Sequence, residues 1–181
     1  MNQMETKVLV AYASSYGSTQ EIAEVISETL RSQGLAVDLQ PIRNVRILDG
    51  YSAVVLGAPL YMFHWHKDAR HFLSQHRKIL ADNLPVAIFA GGPFDKGDEN
   101  AWHEVRTKFD LELAKFPWLT PVSVEIVGGK FDPAKLRFPY NFIPVLKKMP
   151  ASDCGIGWRF ARGQVAWPRN FCQICHNKLD E

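Results

Sequence analysis

Five short apolar runs alternate with helical stretches, and this alternation is what most constrains the fold. The runs are Lys7 to Tyr12, Leu35 to Leu39, Ala53 to Leu56, Val86 to Ala90 and Val122 to Val127. Short runs rich in β-branched and apolar residues are typical of strands that are buried on both faces. Strands joined by helical crossovers favour a doubly wound parallel sheet, so we predict an α/β fold with five parallel strands.

The segments between these runs carry apolar residues at helical spacing. Ile22, Val25, Ile26 and Leu30 form the first stripe, and Gly34 follows as its stop signal. A second helix is predicted over Lys67 to Ala81, and a third stripe runs from Trp102 to Phe116. The stretch from Pro41 to Gly50 is predicted as a connection with room for a helical turn.

Composition and charge narrow the classes of function. The 181 residues, with 46% apolar and 22% charged residues, suffice for one globular domain. A net charge of +2 is too small to indicate nucleic-acid binding, so we expect no nucleic-acid partner. No apolar run approaches the roughly 18 residues of a membrane span. The first residues also lack the pattern of a signal peptide. We therefore expect a cytoplasmic protein.

A loop rich in hydroxyl groups joins the first strand to the first helix. It reads Ser14-Ser15-Tyr16-Gly17-Ser18-Thr19 and contains no lysine or arginine. A helix N-terminus favours an anion because its N–H groups are unpaired, and Gly17 would let the backbone turn closely around that anion. The patterns of nucleoside triphosphate and dinucleotide loops are missing. The alternative is an ordinary helix cap provided by Ser18 or Ser14.

Two further strand ends should lie beside this loop, because ligands of doubly wound sheets bind beyond the carboxyl ends of the strands. The third strand leads into Pro59, Leu60, Tyr61 and Met62, and the fourth into Ala90, Gly91 and Gly92. The loop after the first strand can bind a phosphate, and the residues after the third strand offer aromatic side chains that can pack on a planar ring. The residues after the fourth strand offer backbone groups without large side chains. This combination suits flavin mononucleotide (FMN).

The pattern Ser14-x-Tyr16-Gly17-Ser18-Thr19 resembles the phosphate loop of the flavodoxin family, and the resemblance covers about residues 6 to 150. It implies a flavodoxin-like sheet of order 2-1-3-4-5 with FMN at its switch point. It also implies that this loop holds the phosphate and that 59–62 and 90–92 line the flavin ring. Residues 57–61 and 67–70 are similar to a subgroup that includes the menaquinone-dependent protoporphyrinogen dehydrogenases.

The resemblance implies an FMN-binding domain over residues 1–150 and an atypical tail over 151–181. Within the domain, 128–150 resembles the insertion that follows the fifth strand in this subgroup. Basic and apolar residues interleave over 130–149, a pattern that would allow peripheral contact with the inner face of the cell membrane, where a quinone acceptor would make such contact useful. The alternative is a lid over the sheet edge with its lysines in water.

Three kinds of function remain open on this scaffold. An electron-transfer protein gains from carboxylates near the flavin and from an acidic surface that steers it to redox partners. The stretch from Leu60 to Lys67 instead holds His64, His66, a lysine and no acid. A neutral or positive ring environment favours two-electron chemistry, so we favour an FMN-dependent oxidoreductase. A non-catalytic binding module is the third alternative. The sequence names no catalytic residue, and either histidine alone also fits a solvated loop.

The tail lacks the closing helix that this fold needs. All three cysteines, Cys154, Cys172 and Cys175, lie there, and Cys172 to His176 fits the c-type haem attachment pattern. A zinc site with Cys154 as a third thiolate is the other metal alternative. We expect neither metal, because covalent haem attachment normally needs export and the residues after His176 are too few to wrap a haem.

A shifted reading frame explains the tail better. The tail can be back-translated and read in the overlapping frame that starts one base before each codon. From the junction of Asp153 and Cys154, this frame permits the segment LRDWVAIRAWASGLAEKLLPDLP. Leucine is forced at that junction and at Phe171–Cys172, and alanine at Trp167–Pro168, while the other letters are choices among those permitted. The segment resembles the amphipathic closing helix of the subgroup. We therefore hypothesise a frameshift near residue 153.

Overall fold

The structure, a computed structural model, describes residues 7–61, 64–82, 84–92, 99–128, 130–131 and 152–153. The strands are β1 (Lys7–Tyr12), β2 (Ala36–Pro41), β3 (Ala53–Tyr61), β4 (His64–Trp65), β5 (Val86–Gly91), β6 (Ser123–Val127), β7 (Lys130–Phe131) and β8 (Ser152–Asp153). The helices are α1 (Ser18–Ser32), α2 (Lys67–Gln75), α3 (Arg77–Asp82) and α4 (Glu99–Leu113), and a 3-10 turn spans Ile42–Asn44.

The long strands form one parallel sheet in the order β2-β1-β3-β5-β6. The two-residue β4 folds back and pairs antiparallel with the end of β3. With β4 set aside, this is the predicted order 2-1-3-4-5, and the doubly wound α/β prediction is confirmed. Because these strands are parallel, their carboxyl ends share one edge, where such sheets bind ligands.

Helices pack on both faces of the sheet because successive strand side chains alternate between them. Ile22, Ile26 and Leu30 of α1 join one buried cluster, and α1 is the only described helix that contributes to it. The other cluster receives Phe72 from α2 and Phe109 from α4. Of the predicted α1 stripe, Ile22, Ile26 and Leu30 are confirmed as buried, whereas Val25 is only partly buried. Gly34 follows the helix with a positive φ of 87°.

Two elements differ from the sequence-based prediction. β3 does not end at Leu56 but continues to Tyr61, because Gly57 and Ala58 pair with β5 and Leu60 pairs with β4. The helix predicted over 67–81 is interrupted at His76. The N–H of His76 donates to the carbonyl of Phe72 at 3.0 Å, and this is the last hydrogen bond of α2. The carbonyl of His76 accepts the N–H of Leu80 at 3.1 Å.

Several predictions fall on residues outside the described ranges. These are the ring contact of Met62, most of the insertion, and the tail with its cysteines and His176. Lys130–Phe131 of the insertion and Ser152–Asp153 at the start of the tail are described, and they pair as antiparallel strands, Lys130 with Asp153 and Phe131 with Ser152. Within the ranges given above, no helix has the length and apolarity that crossing a bilayer requires.

Candidate functional site

The loop between β1 and α1 is shaped by Gly17. This residue is the N-cap of α1 with a φ of 93°, and no side-chain hydrogen bond caps the helix. The hydroxyl of Ser14 instead accepts the N–H of Gly17 at 2.9 Å, which holds the loop. Ser18 is already the first helical residue. Neither serine therefore caps α1, and the alternative of an ordinary serine cap is not supported.

The loop presents open backbone. A Cβ placed on Gly17 would meet no atom of the described residues within 4 Å. Ser14, Tyr16 and Ser18 are half-buried, whereas Thr19 is buried, so that the Thr19 side chain lies against the protein. An uncapped helix start with positive dipole charge and free space in front of it suits a phosphate group.

Tyr61, at the end of β3, joins this loop to the predicted ring wall. Its ring lies edge-on to that of Tyr16, with centroids 6.3 Å apart and an interplanar angle of 90°. On another side it meets the ring of His66 at 5.9 Å. The structure thus brings together the predicted phosphate loop and the aromatic strand end.

The end of β5 contributes less open backbone than predicted. Gly91 pairs with Pro59, and a Cβ on Gly91 would lie 3.8 Å from Cα of Pro59, an ordinary contact. A Cβ on Gly92, however, would lie 2.5 Å from Cγ2 of Ile126. The N–H of Gly92 is donated to the carbonyl of Val127 at 2.5 Å. Gly92 therefore serves the packing of β6, and its N–H is engaged within the protein.

The remaining predicted ring residues are placed less openly. Ala90 is fully buried and belongs to the cluster under α2 and α4. Leu60 packs partly against that same cluster. Pro59 is buried as well, so that Leu60, Tyr61, Gly91 and Gly92 are the described residues of the predicted ring wall that keep partial exposure.

His66 is held in the neutral form beside Tyr61. Its Nδ1 accepts the N–H of Asp68 at 3.2 Å and so caps α2. Burial lowers the pKa of His66, and the charges of Arg43, Lys67 and Arg70 lower it further, while Asp68 acts in the opposite direction. Arg43 also binds Asp68 at 2.6 Å. Three cations and one carboxylate therefore act on His66, and Asp68 is the strongest of the four. The neutral or positive ring environment stays a prediction.

His64 faces a different partner. Its Nδ1 lies 3.2 Å from Oε1 of Glu112, whose side chain is 5% exposed. Glu112 also accepts from Nζ of Lys115 and from the N–H of Trp65. Burial raises the pKa of Glu112, but the hydrogen bonds from Lys115, His64 and Trp65 outweigh it and leave the pKa below its usual value.

Sequence reasoning missed Glu112 and Arg43. Glu112 interrupts the apolar stripe between Phe109 and Leu113, and Lys115 follows at helical spacing, so a buried carboxylate with a partner was detectable. Arg43 carries no such signal, because it reaches α2 from the connection after β2.

Residues 9–149 match the family described as Flavodoxin domain. The chain belongs to the flavodoxin domain family. A relative with 26% identity over 150 residues is the Protoporphyrinogen IX dehydrogenase [quinone] of Escherichia coli (strain K12), with 81% of this chain and 82% of the relative covered. Probable flavodoxin 1 of Bacillus subtilis (strain 168) is 28% identical over 95 residues, which cover 49% of this chain and 58% of that protein.

Among solved structures, oxidised flavodoxin 1 from Bacillus cereus matches with a TM-score of 0.50 and 20% identity. The match covers 68% of this chain and 84% of that one, and it shows the fold. The predicted resemblance to flavodoxins is confirmed.

FMN is the cofactor that membership of the flavodoxin domain family supports, and the site fits it. The open backbone at Gly17, the uncapped start of α1 and the hydroxyl of Ser18 suit the phosphate. Tyr61 and Gly91 are partly exposed at the edge where a planar ring would lie. The individual contacts to FMN stay a prediction. Across the described ranges, no three His, Cys, Asp or Glu side chains gather as a metal site.

Proposed function

We propose that this flavodoxin domain is an FMN-dependent oxidoreductase that takes two electrons from a reduced organic substrate and passes them to a quinone. The observation that carries the proposal is the group of cations around His66, whose ring meets that of Tyr61 at 5.9 Å. Arg43, Lys67 and Arg70 act on His66 there, against the single carboxylate of Asp68. Positive charge stabilises an anion nearby, which favours two-electron over one-electron exchange.

Bound FMN would supply reversible two-electron redox chemistry, and the chain's own residues would position it. The start of α1 and the Gly17 loop would bind the phosphate, and Ser14 holds that loop through the N–H of Gly17. Tyr16 and Tyr61 would exclude water from one side of the ring. Neutral His66 holds the start of α2 against this wall.

The substrate pair that we propose is protoporphyrinogen IX and menaquinone, with three successive two-electron oxidations of one protoporphyrinogen IX reducing three quinones to quinols. It is supported by the name of the Escherichia coli relative, which specifies protoporphyrinogen IX and a quinone and aligns with 81% of this chain. The basic and apolar stretch 130–149 would place the protein beside a membrane that holds the quinone.

An electron-transfer protein without its own substrate is the second candidate. It is supported by the likeness to a probable flavodoxin of Bacillus subtilis, which covers 49% of this chain. The cations around His66 argue against it, because flavin carriers of low potential gain from carboxylates instead.

The experiment is an anaerobic turnover assay on FMN-loaded protein. Protoporphyrinogen IX and menadione, a soluble menaquinone analogue, are added, and porphyrin fluorescence is followed. We expect porphyrin to form only when protein, FMN and quinone are all present. If the protein retains FMN but forms no porphyrin above the protein-free rate, the proposed substrate is wrong. Rapid electron exchange with a flavodoxin reductase would then favour the second candidate.

A further inference from the structure

A groove runs between the connection after β2 and the helices α2 and α3, and none of the predicted FMN residues lines it. It consists of two cavities of about 470 and 400 Å³ that share Arg46 and Gln75. We call these two cavities together the basic groove.

The larger cavity of the basic groove carries excess positive charge. Its lining includes Arg43, Arg46, Lys67 and His71 but only one acid, Asp68. That acid is already engaged by Arg43 at 2.6 Å. Arg46, Lys67 and His71 form no ion pair within the part of the chain that the structure describes. Lys67 and His71 are four residues apart on α2 and thus share one helix face.

The larger cavity also has an apolar side. Ile42, Val45 and Phe72 line it, and all three belong to the buried cluster of the sheet. A cavity with basic groups on one side and apolar groups on the other suits an organic molecule that carries an oxyanion.

The smaller cavity adds an unsatisfied polar group. His76 lines it with a relative exposure of 9%. Its Nε2 is buried and has no hydrogen-bond partner among the described residues. Lys78 lines this cavity together with Asp49 and Asp82, so the acids there offset the basic charge. A buried polar atom without a partner is costly, and a ligand that supplied one would relieve the cost.

We propose that the basic groove binds a small organic anion. Its carboxylate or phosphate would lie against Arg46, Lys67 and His71, and its other end would lie beside His76, whose ring would have to turn to bring the buried Nε2 to a polar group of the ligand. The guanidinium of Arg46 is suited to this role because its planar fork matches both kinds of oxyanion. No residue of the phosphate loop lines this groove, and the inference does not depend on the proposed redox activity, although Arg43, Lys67 and Asp68 line the groove and also act on His66.

The test is calorimetric titration of the protein, saturated with FMN so that the phosphate loop is filled. Citrate and pyrophosphate are the two probes. We expect saturable binding of at least one probe, weakened by added salt. Arg46→Gln should weaken it at least tenfold, about 1.4 kcal/mol. Arg106→Gln is the matched control, because it removes the same charge from α4, where Arg106 pairs with Asp110.

A second readout separates the groove from a general loss of charge. The imidazole NMR signals of His71 and His76 should shift on addition of the probe, and that of His103 on α4 should not. Preference for citrate assigns a carboxylate ligand, and preference for pyrophosphate assigns a phosphate ligand. Absence of saturable binding, or equal losses in Arg46→Gln and Arg106→Gln, overturns the proposal. If the protein takes up no FMN but binds the probe, and Arg46→Gln weakens that binding, the proposed function is refuted and the anion site is not. The phosphate loop is then empty, and unchanged probe binding by Gly17→Val would show that the probe does not bind there.

Discussion

Oε1 of Glu112 lies 3.2 Å from Nδ1 of His64, and this contact joins α4 to β4, two elements far apart in the chain. The carboxylate is nearly buried and remains charged because three donors surround it. β4 pairs with the strand end that carries Tyr61. The contact therefore fixes the return strand behind the predicted ring wall.

We expect Glu112→Gln to lower the free energy of unfolding by about 1–3 kcal/mol, since it weakens charge-assisted bonds at a buried position. Urea denaturation measures the change. Asp110→Asn on the same helix is the control, because its partner Arg106 is half-exposed, and the expected loss is at most about 1 kcal/mol. Equal losses of unfolding free energy in the two variants would show that the Glu112 cluster stabilises the protein no more than the exposed Asp110–Arg106 pair does.

Stability should fall as the pH drops below about 6.5. Burial lowers the pKa of both His66 and His76, so the folded protein binds these protons less readily than the unfolded chain does. Their contribution is complete above the unfolded pKa and is lost as the pH falls through the folded values, by at most about 1.4 kcal/mol per pH unit for each group. Urea denaturation between pH 7.5 and 5.5 measures the slope.

The variant that isolates His66 is His66→Asn, which keeps a capping acceptor but does not titrate. Its stability should depend less steeply on pH than that of the unaltered protein. An unchanged slope in the double variant His66→Asn, His76→Gln would contradict the assignment of the pH dependence to these groups.

Gly17→Val should weaken FMN binding at least tenfold, about 1.4 kcal/mol. A β-branched side chain strains a backbone with a φ of 93°, and it fills the space that we assign to the phosphate. Fluorescence quenching of FMN measures the affinity. Gly50→Val is the control, because Gly50 has a φ of 83° and equally open surroundings away from the site. If both variants bind FMN as the unaltered protein does, the loop is not the phosphate site.

Gly57→Ala should destabilise the sheet by about 1–3 kcal/mol or more, because an added Cβ would lie 1.9 Å from Cζ of Phe89. The Phe89 ring is buried under α1 and has little room to move. Thermal unfolding measures the loss. Phe89→Leu should make the second substitution less costly, so that the double variant is more stable than additivity predicts. If the effects of Gly57→Ala and Phe89→Leu on stability simply add, the Phe89 ring moves aside for the new Cβ without a cost in free energy.

The shifted reading frame predicts a more stable protein. Of the described helices, only α1 contributes to its face of the sheet, and the shifted segment would add an amphipathic helix with several large apolar side chains. Each such side chain contributes about 1.5–3 kcal/mol when buried. A chain carrying the shifted sequence after Asp153 should therefore resist urea and limited proteolysis better than the present one. Equal resistance, or stop codons in the overlapping genomic frame, would refute the frameshift.

The sheet order was predictable because each strand is a separate apolar run and each crossover has a helical period. The end of β3 was not, since Gly57 and Pro59 are turn-forming residues in isolation. Pairing with β5 and β4 overrides that preference and moves Tyr61 from a loop to a strand. The break at His76 likewise has no glycine or proline to mark it.

The phosphate loop was predictable from local chemistry, and its details were not. The sequence offered Ser14 and Ser18 as caps with equal justification, whereas the left-handed turn at Gly17 directs the Ser14 hydroxyl to a loop N–H. Arg43 is one of the cations that act on His66, and it lies 25 residues from its partner Asp68 in the sequence. Such long-range placement is visible only in the folded chain.

The pairing of β7 with β8 brings the two residues that flank 132–151 together, so this stretch of sequence can be replaced or shortened. Phe131 lies opposite Ser152, and paired residues of antiparallel strands are about 4.5–5.5 Å apart between their Cα atoms, a gap that a two-residue turn can close. Lys130–Phe131 and Ser152–Asp153 lie side by side, so the length and composition of the sequence between them can change during evolution without rerouting the parallel sheet. New partners can thus be acquired there while the cofactor edge is inherited unchanged.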